Sequence, residues 1–152
     1  MENETKVISF FRFEDLRVYE KALDYFTWVM QQANTSKDFT TTVLLQPLAS
    51  SAAKIAENIA EGSARHKPQF VQLLKDAKSS IRSCVVYTAL CYKSGAFSET
   101  QYQQSHDTLI EMTKMVGAMI VSLQRSNQER TQTSVTTSEF DLGNDEGISF
   151  EY

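Results

Sequence analysis

The chain has 152 residues, of which 41% are hydrophobic, enough for one domain with a real core. It holds no apolar run of the ~18 residues that a membrane span needs. The formal net charge of −4 is unevenly placed. Residues 1–126 carry 14 Lys/Arg against 13 Asp/Glu, whereas residues 127–152 carry one Arg against six acids. The acidic balance therefore belongs to the C-terminal stretch and not to the body.

Residues 1–12 read as an N-terminal extension. "MENETKVISFFRF" has no basic segment followed by an apolar run, so a secretory signal is not expected and a cytoplasmic protein is. Residues 13–34 carry a helical period, with Leu16, Tyr19, Leu23, Phe26 and Met30 as the expected inward face. Residues 40–61 follow with Leu44, Leu48, Ile55 and Ile59; Pro47 predicts a kink there or a later start. The stretch "NIAEGSAR" then reads as a helix stop with a polar clasp to the next helix. Gly62 is placed for a left-handed cap, Asn58 lies at the edge of the apolar face, and Arg65 is placed to reach Glu61. These positions are expected to be structural.

The third helix is predicted over 68–94, with Phe70, Leu73, Leu74, Ala77, Ile81, Cys84, Val85 and Thr88 on one face. Pro68 suits its first turn and Gly95 follows its last. The fourth spans 98–125, with Tyr102, Leu109, Met112, Val116, Ile120 and Leu123 inward and a Ser98–Gln101 capping box. Four amphipathic helices on short loops predict an all-α protein, an antiparallel up-and-down four-helix bundle over residues 13–126. Residues 127–152 lose the period and are rich in Ser, Thr and acids. They read as a disordered acidic C-terminal tail, its "ISFEY" a floppy end rather than a docking motif.

Chemistry is hard to place on this pattern. Cys84 and Cys91 stand seven apart on one helix, a spacing of no zinc or redox motif, and read as buried free thiols. A di-iron bundle needs inward Glu-x-x-His pairs, but Ser63 and Gln103 precede His66 and His106 by three. Phosphate-binding glycine loops and a nucleophile elbow are also missing. The expectation is a non-enzyme without catalytic residues, metal or cofactor.

The segments "FEDLRVYEKA", "AAKIAENIAEGSAR", "QFVQLLKDAKSS" and "YKSGAFSETQYQ" occur in this order. Over residues 10–125 they resemble the bacterial four-helix bundle proteins encoded in intervening sequences of large-subunit ribosomal RNA genes. That family includes the accessory protein of diversity-generating retroelements. The resemblance implies an up-and-down bundle, a ring-like homopentamer and no catalytic residues. Lys67, Ser83 and Pro47 depart from the family pattern, which touches the choice of partner more than the fold.

Two surfaces call for partners. Val18, Ala22, Tyr25 and Val29 form a second apolar stripe on the first helix, with Trp28 beside it as an anchor. Val86, Tyr87 and Leu90 lie off the inward face of the third. A helix apolar on two sides needs two partners, so these residues are the expected subunit interface. Arg65, Lys67, Lys75, Lys78, Arg82 and Lys93 face a single acid, Asp76, between residues 65 and 93. They form the candidate nucleic-acid track. The leading expectation is a homo-oligomeric scaffold, pentameric by resemblance, that binds RNA or a ribonucleoprotein partner such as a reverse transcriptase, away from membranes. The alternative is a protein-only adaptor that works through its apolar stripe and acidic tail.

Overall fold

A computed structural model describes residues 9–35 and 38–135, with side chains through residue 132. A 3-10 turn, Arg12–Asp15, leads into four helices: α1 Arg17–Thr35, α2 Phe39–Ser63, α3 Lys67–Lys93 and α4 Glu99–Val135. Consecutive helices pack side by side, and α4 returns to α1 to close the ring, with α1 and α4 the most loosely joined pair. The described residues thus form the all-α, antiparallel up-and-down bundle that the periodicity predicts.

The helix ends follow local chemistry. The Asp38 carboxylate caps α2 by accepting from the Thr41 N–H at 3.4 Å. The α4 capping box is formed in both directions. The Gln101 N–H donates to Ser98 Oγ at 3.2 Å, and the Ser98 N–H donates to Gln101 Oε1 at 2.8 Å. Pro68 lies in the first turn of α3, where the absent N–H costs nothing. Gly95, with φ of 82°, turns the chain out of α3. Phe97 is then tucked into the core, its N–H donating to the Cys91 carbonyl at 3.0 Å. Pro47 stands inside α2 rather than at its start.

Three expectations change. The inward face of α1 is Val18, Ala22, Tyr25 and Val29, each at most 2% exposed, so these four are core and not a subunit interface. Both stripes of α1 fit a helical period, and bulk favoured the wrong one. The decisive feature is the Tyr25 hydroxyl, which finds partners only inside: Ser105 Oγ at 2.8 Å and Thr88 Oγ1 at 3.4 Å. The bulkier Leu16, Tyr19 and Phe26 pack at the margin of the core, and Leu23 and Met30 are exposed.

Gly62 is not a left-handed cap either. It lies within α2, buried, and a methyl added there would sit 3.2 Å from Leu73 Cβ and 3.3 Å from Phe70 Cδ1. The glycine lets the α2 and α3 backbones approach. The stop falls two residues later, at Ala64, whose N–H donates to the Glu61 carbonyl at 3.2 Å. Finally, α4 runs on to Val135, so the first nine residues of the expected tail are helical. The remainder of that expected disordered tail, 136–152, lies outside the described residues, as do residues 1–8 of the N-terminal extension.

Candidate nucleic-acid interface

The α3 helix is 27 residues long, roughly 40 Å at 1.5 Å per residue. Its inward face is fixed by Leu74, Ala77, Ile81, Cys84, Thr88 and Cys91, all buried. Residues about half a turn away must then face water. Lys75 and Arg82 are exposed there and Lys78 is half-buried at the flank toward α4. Among the described residues the ion pairs are Lys21–Glu111 and Glu61–Arg65, so Lys75, Lys78 and Arg82 have no acidic partner. Asp76 is turned aside and accepts instead from Gln72 Nε2 at 3.3 Å. Three cations within two turns, unneutralised and on a rigid helix, make a surface suited to phosphate.

The other predicted cations separate from this trio. Arg65 lies in the α2–α3 turn with its guanidinium on Glu61 Oε1, 2.5 Å from Nη2 and 3.0 Å from Nε. The expected Arg65–Glu61 contact is therefore present, but it closes on the end of α2 itself and not on the next helix, and Asn58 has no side-chain hydrogen bond among the described residues. Lys67 opens α3 and donates to the Ser126 hydroxyl of α4. Lys93 is exposed at the far end, about 16 Å along the axis from Arg82. Val86 and Leu90 intervene, outward and 56% and 44% exposed, while Tyr87 is half-buried against the core. Trp28, the expected anchor, stacks on Tyr25 at 5.9 Å and meets the edge of Phe97 at 5.7 Å, inside the protomer.

Lys114 went unnoticed in the sequence. The Tyr92–Tyr102 stack and the Lys67–Ser126 contact fix the register of α3 and α4. That register sets exposed Lys114 level with Ser79, between Lys78 and Arg82 along the axis. Only the antiparallel pairing of α3 and α4 brings these cations level, so a search within one helix misses it. A shallow hollow of ≈ 250 Å³ lined by Arg65, Gln69, Gln72 and Leu73 adjoins the start of α3.

The matching family model is that of the 23S rRNA-intervening sequence protein, over residues 14–118. The chain belongs to this family. The match covers α1, α2 and α3 whole and the first half of α4, and so spans the Lys75–Arg82 trio and Lys114. No curated protein matches the chain. The last turns of α4 and everything after them fall outside the match.

Among the described residues no group of three or more His, Cys, Asp or Glu side chains could hold a metal ion. Cys84 and Cys91 are free and buried, and burial pushes their thiols up to about 12 and about 11. Thiols so protonated are poor nucleophiles. No helix among the described residues is long and apolar enough to cross a membrane.

Proposed function

We propose that this family member is a non-catalytic, cytoplasmic scaffold that binds RNA, or the RNA of a ribonucleoprotein partner, along the outward face of α3. The observation that carries the reading is the trio Lys75, Lys78 and Arg82, without acidic partners on a helix whose other side is locked into the core. Such a track meets phosphates without reading bases, so affinity comes from counterion release and falls with salt. One concrete version is the accessory role in a diversity-generating retroelement, in which the bundle holds template RNA beside a reverse transcriptase.

The scaffold works as a homo-oligomer, pentameric in the family reading, which repeats the track from subunit to subunit. The self-association surface runs along the α1–α2 seam, where Leu23, Met30 and Phe39 are exposed. A cleft of ≈ 210 Å³ opens there between Met30, Ala33, Thr42, Gln46 and Ala49. That apolar seam also supports the second reading, an adaptor whose partner is another protein. Light scattering on the wild type and on a Leu23→Glu/Met30→Glu variant tests the seam; a wild type that is monomeric at micromolar concentration rejects it.

Filter binding tests the RNA reading. Lys75→Glu/Lys78→Glu/Arg82→Glu should lose at least ten-fold in affinity for several unrelated RNAs, with fold and oligomer intact. Lys54→Glu, an exposed cation of α2, controls for net charge. Equal binding by wild type and triple variant rejects the site, and no binding by the wild type at low salt leaves the adaptor reading.

A further inference from the structure

The cationic stretch of α3 leads, on the flank toward α4, to a short ladder of rings. Tyr92 and Tyr102 stack with centroids 4.8 Å apart and ring planes 23° from parallel. His106 follows Tyr102 at 5.7 Å and 39°. Tyr102 and His106 are half-buried, whereas Tyr92, the last ring of the ladder, is 41% exposed. One face of Tyr92 is taken by Tyr102, so its exposure falls on the other face and the rim. Neither hydroxyl nor the imidazole has a hydrogen bond among the described residues. A clasp between two helix ends needs the stacked pair, but it does not need an open outer face.

The ladder and the cations share one groove. Lys78, Val85 and Tyr92 recur every seven residues, close to two helical turns, and so line the same flank of α3. On α4, Tyr102, His106, Ile110 and Lys114 recur every four residues along one ridge. The α3–α4 register sets Tyr102 level with Tyr92 and Lys114 level with the Lys78–Arg82 stretch. Cations therefore hold one end of the groove and rings the other, with roughly 15 Å along the axis from Arg82 to Tyr92. Half-buried Val85 and exposed Ile110 lie between the two ends, and exposed Lys93 adjoins the rings. The acids on this part of α4 are engaged elsewhere: Glu111 with Lys21, and Asp107 with Gln103 Nε2 at 3.3 Å.

A strand whose phosphates lie on Lys78, Arg82 and Lys114 reaches the Tyr92 ring a few nucleotides further on. We propose that this groove takes single-stranded RNA, with an unpaired base stacked on the open face of Tyr92. A duplex has no use for such a face, because its bases are paired and stacked on one another. Every base has a π face, so stacking selects an unpaired strand without selecting a sequence. Tyr92 is the binding residue, and Tyr102 and His106 hold its ring in place. The inference rests on the proposed function and narrows its ligand from RNA to unpaired RNA.

The test measures fluorescence anisotropy of the full chain at low salt with three labelled ligands: a single strand of mixed sequence, an abasic strand of the same length, and the duplex of that sequence. Wild type should bind the single strand about five-fold or more tighter than the abasic strand, which offers the same phosphates and no bases. Equal binding of those two overturns the stacking and leaves the phosphate contacts standing. Tyr92→Leu should lose about five-fold or more on the single strand alone. Equal losses on all three ligands would mark a structural role and overturn the inference. Tyr92→Phe keeps the ring and should bind as wild type; a loss as large as that of Tyr92→Leu overturns it too. The unaltered chain supplies a check that no substitution can spoil. A strand carrying 5-iodouridine should cross-link to Tyr92 on irradiation, as read by mass spectrometry, and cross-links confined to other segments overturn the site. No binding of any of the three ligands by wild type overturns the nucleic-acid reading itself, and the stacking with it.

Discussion

The α2–α3 seam and the α1–α4 seam hold the same bundle by different means. Between α2 and α3 the backbones close on each other because Gly62 has no side chain to keep Leu73 and Phe70 away. Between α1 and α4 the helices stand further apart and side chains bridge them. Tyr25 reaches Ser105 at 2.8 Å, Gln32 Oε1 accepts from Gln101 Nε2 at 2.7 Å, and Lys21 meets Glu111 at 2.6 Å. Close packing gains many small dispersion contacts and leaves nothing polar to satisfy. Bridging adds direction and register, at a net gain of only about 1 kcal/mol per neutral bond. The cationic face of α3 thus rides on the rigid seam, and α1 is the helix best placed to loosen.

The largest expected effect lies at the bridged seam. Tyr25→Ala removes a buried ring and the hub of the hydroxyl cluster, and should cost about 3–5 kcal/mol in a urea titration. A cost under about 1 kcal/mol would mean that α1 does not close the core as described. At the packed seam, Gly62→Val should cost about 1–3 kcal/mol through overpacking against Leu73 and Phe70. Gly62→Ala sets a gain of about 1 kcal/mol in helix propensity against a contact of 3.2 Å, and should come out near neutral. A clear loss on Gly62→Ala paired with a mild Gly62→Val would break the packing account.

Tyr25→Phe isolates the hydroxyl. It should cost about 1 kcal/mol at neutral pH, since Thr88 and Ser105 keep each other at 2.9 Å. Burial, with the neighbouring Cys84, pushes the Tyr25 phenol from 10.0 up to about 12. Below pH 10 the phenol is neutral in both states and its contribution is fully present. Between pH 10 and 12 the unfolded phenol ionises first, so wild-type stability falls as pH rises. The Phe variant should fall less over that range. The smallest effect belongs to Lys21–Glu111. Both side chains are partly exposed, and a double-mutant cycle should return a coupling of about 0.2–1 kcal/mol that shrinks with salt.

Much of this fold can be read from the chain because helical period and caps are local signals. Pro68, Gly95 and the Ser98–Gln101 box mark ends that the structure keeps. Gly62 was misread because a cap and a close approach both ask for glycine, and only the partner helix tells them apart. The two stripes of α1 were exchanged for a related reason. Periodicity cannot say which stripe faces in, whereas the partners of the Tyr25 hydroxyl can, and they lie 63 and 80 residues away. The Lys75–Arg82 trio was visible because it lies within one helix. Lys114 was not, since its place level with them depends on the α3–α4 register.

In the proposed function the outward face of α3 meets RNA through its phosphates. The most direct test follows the binding constant of a labelled single-stranded RNA across salt concentrations, for wild type and for Lys75→Gln/Arg82→Gln. Log K should fall linearly with log salt, with a slope shallower in the double variant by roughly 1.4, since each phosphate contact on a single strand contributes about 0.7. Parallel lines for the two proteins, or a wild-type affinity indifferent to salt, would contradict it.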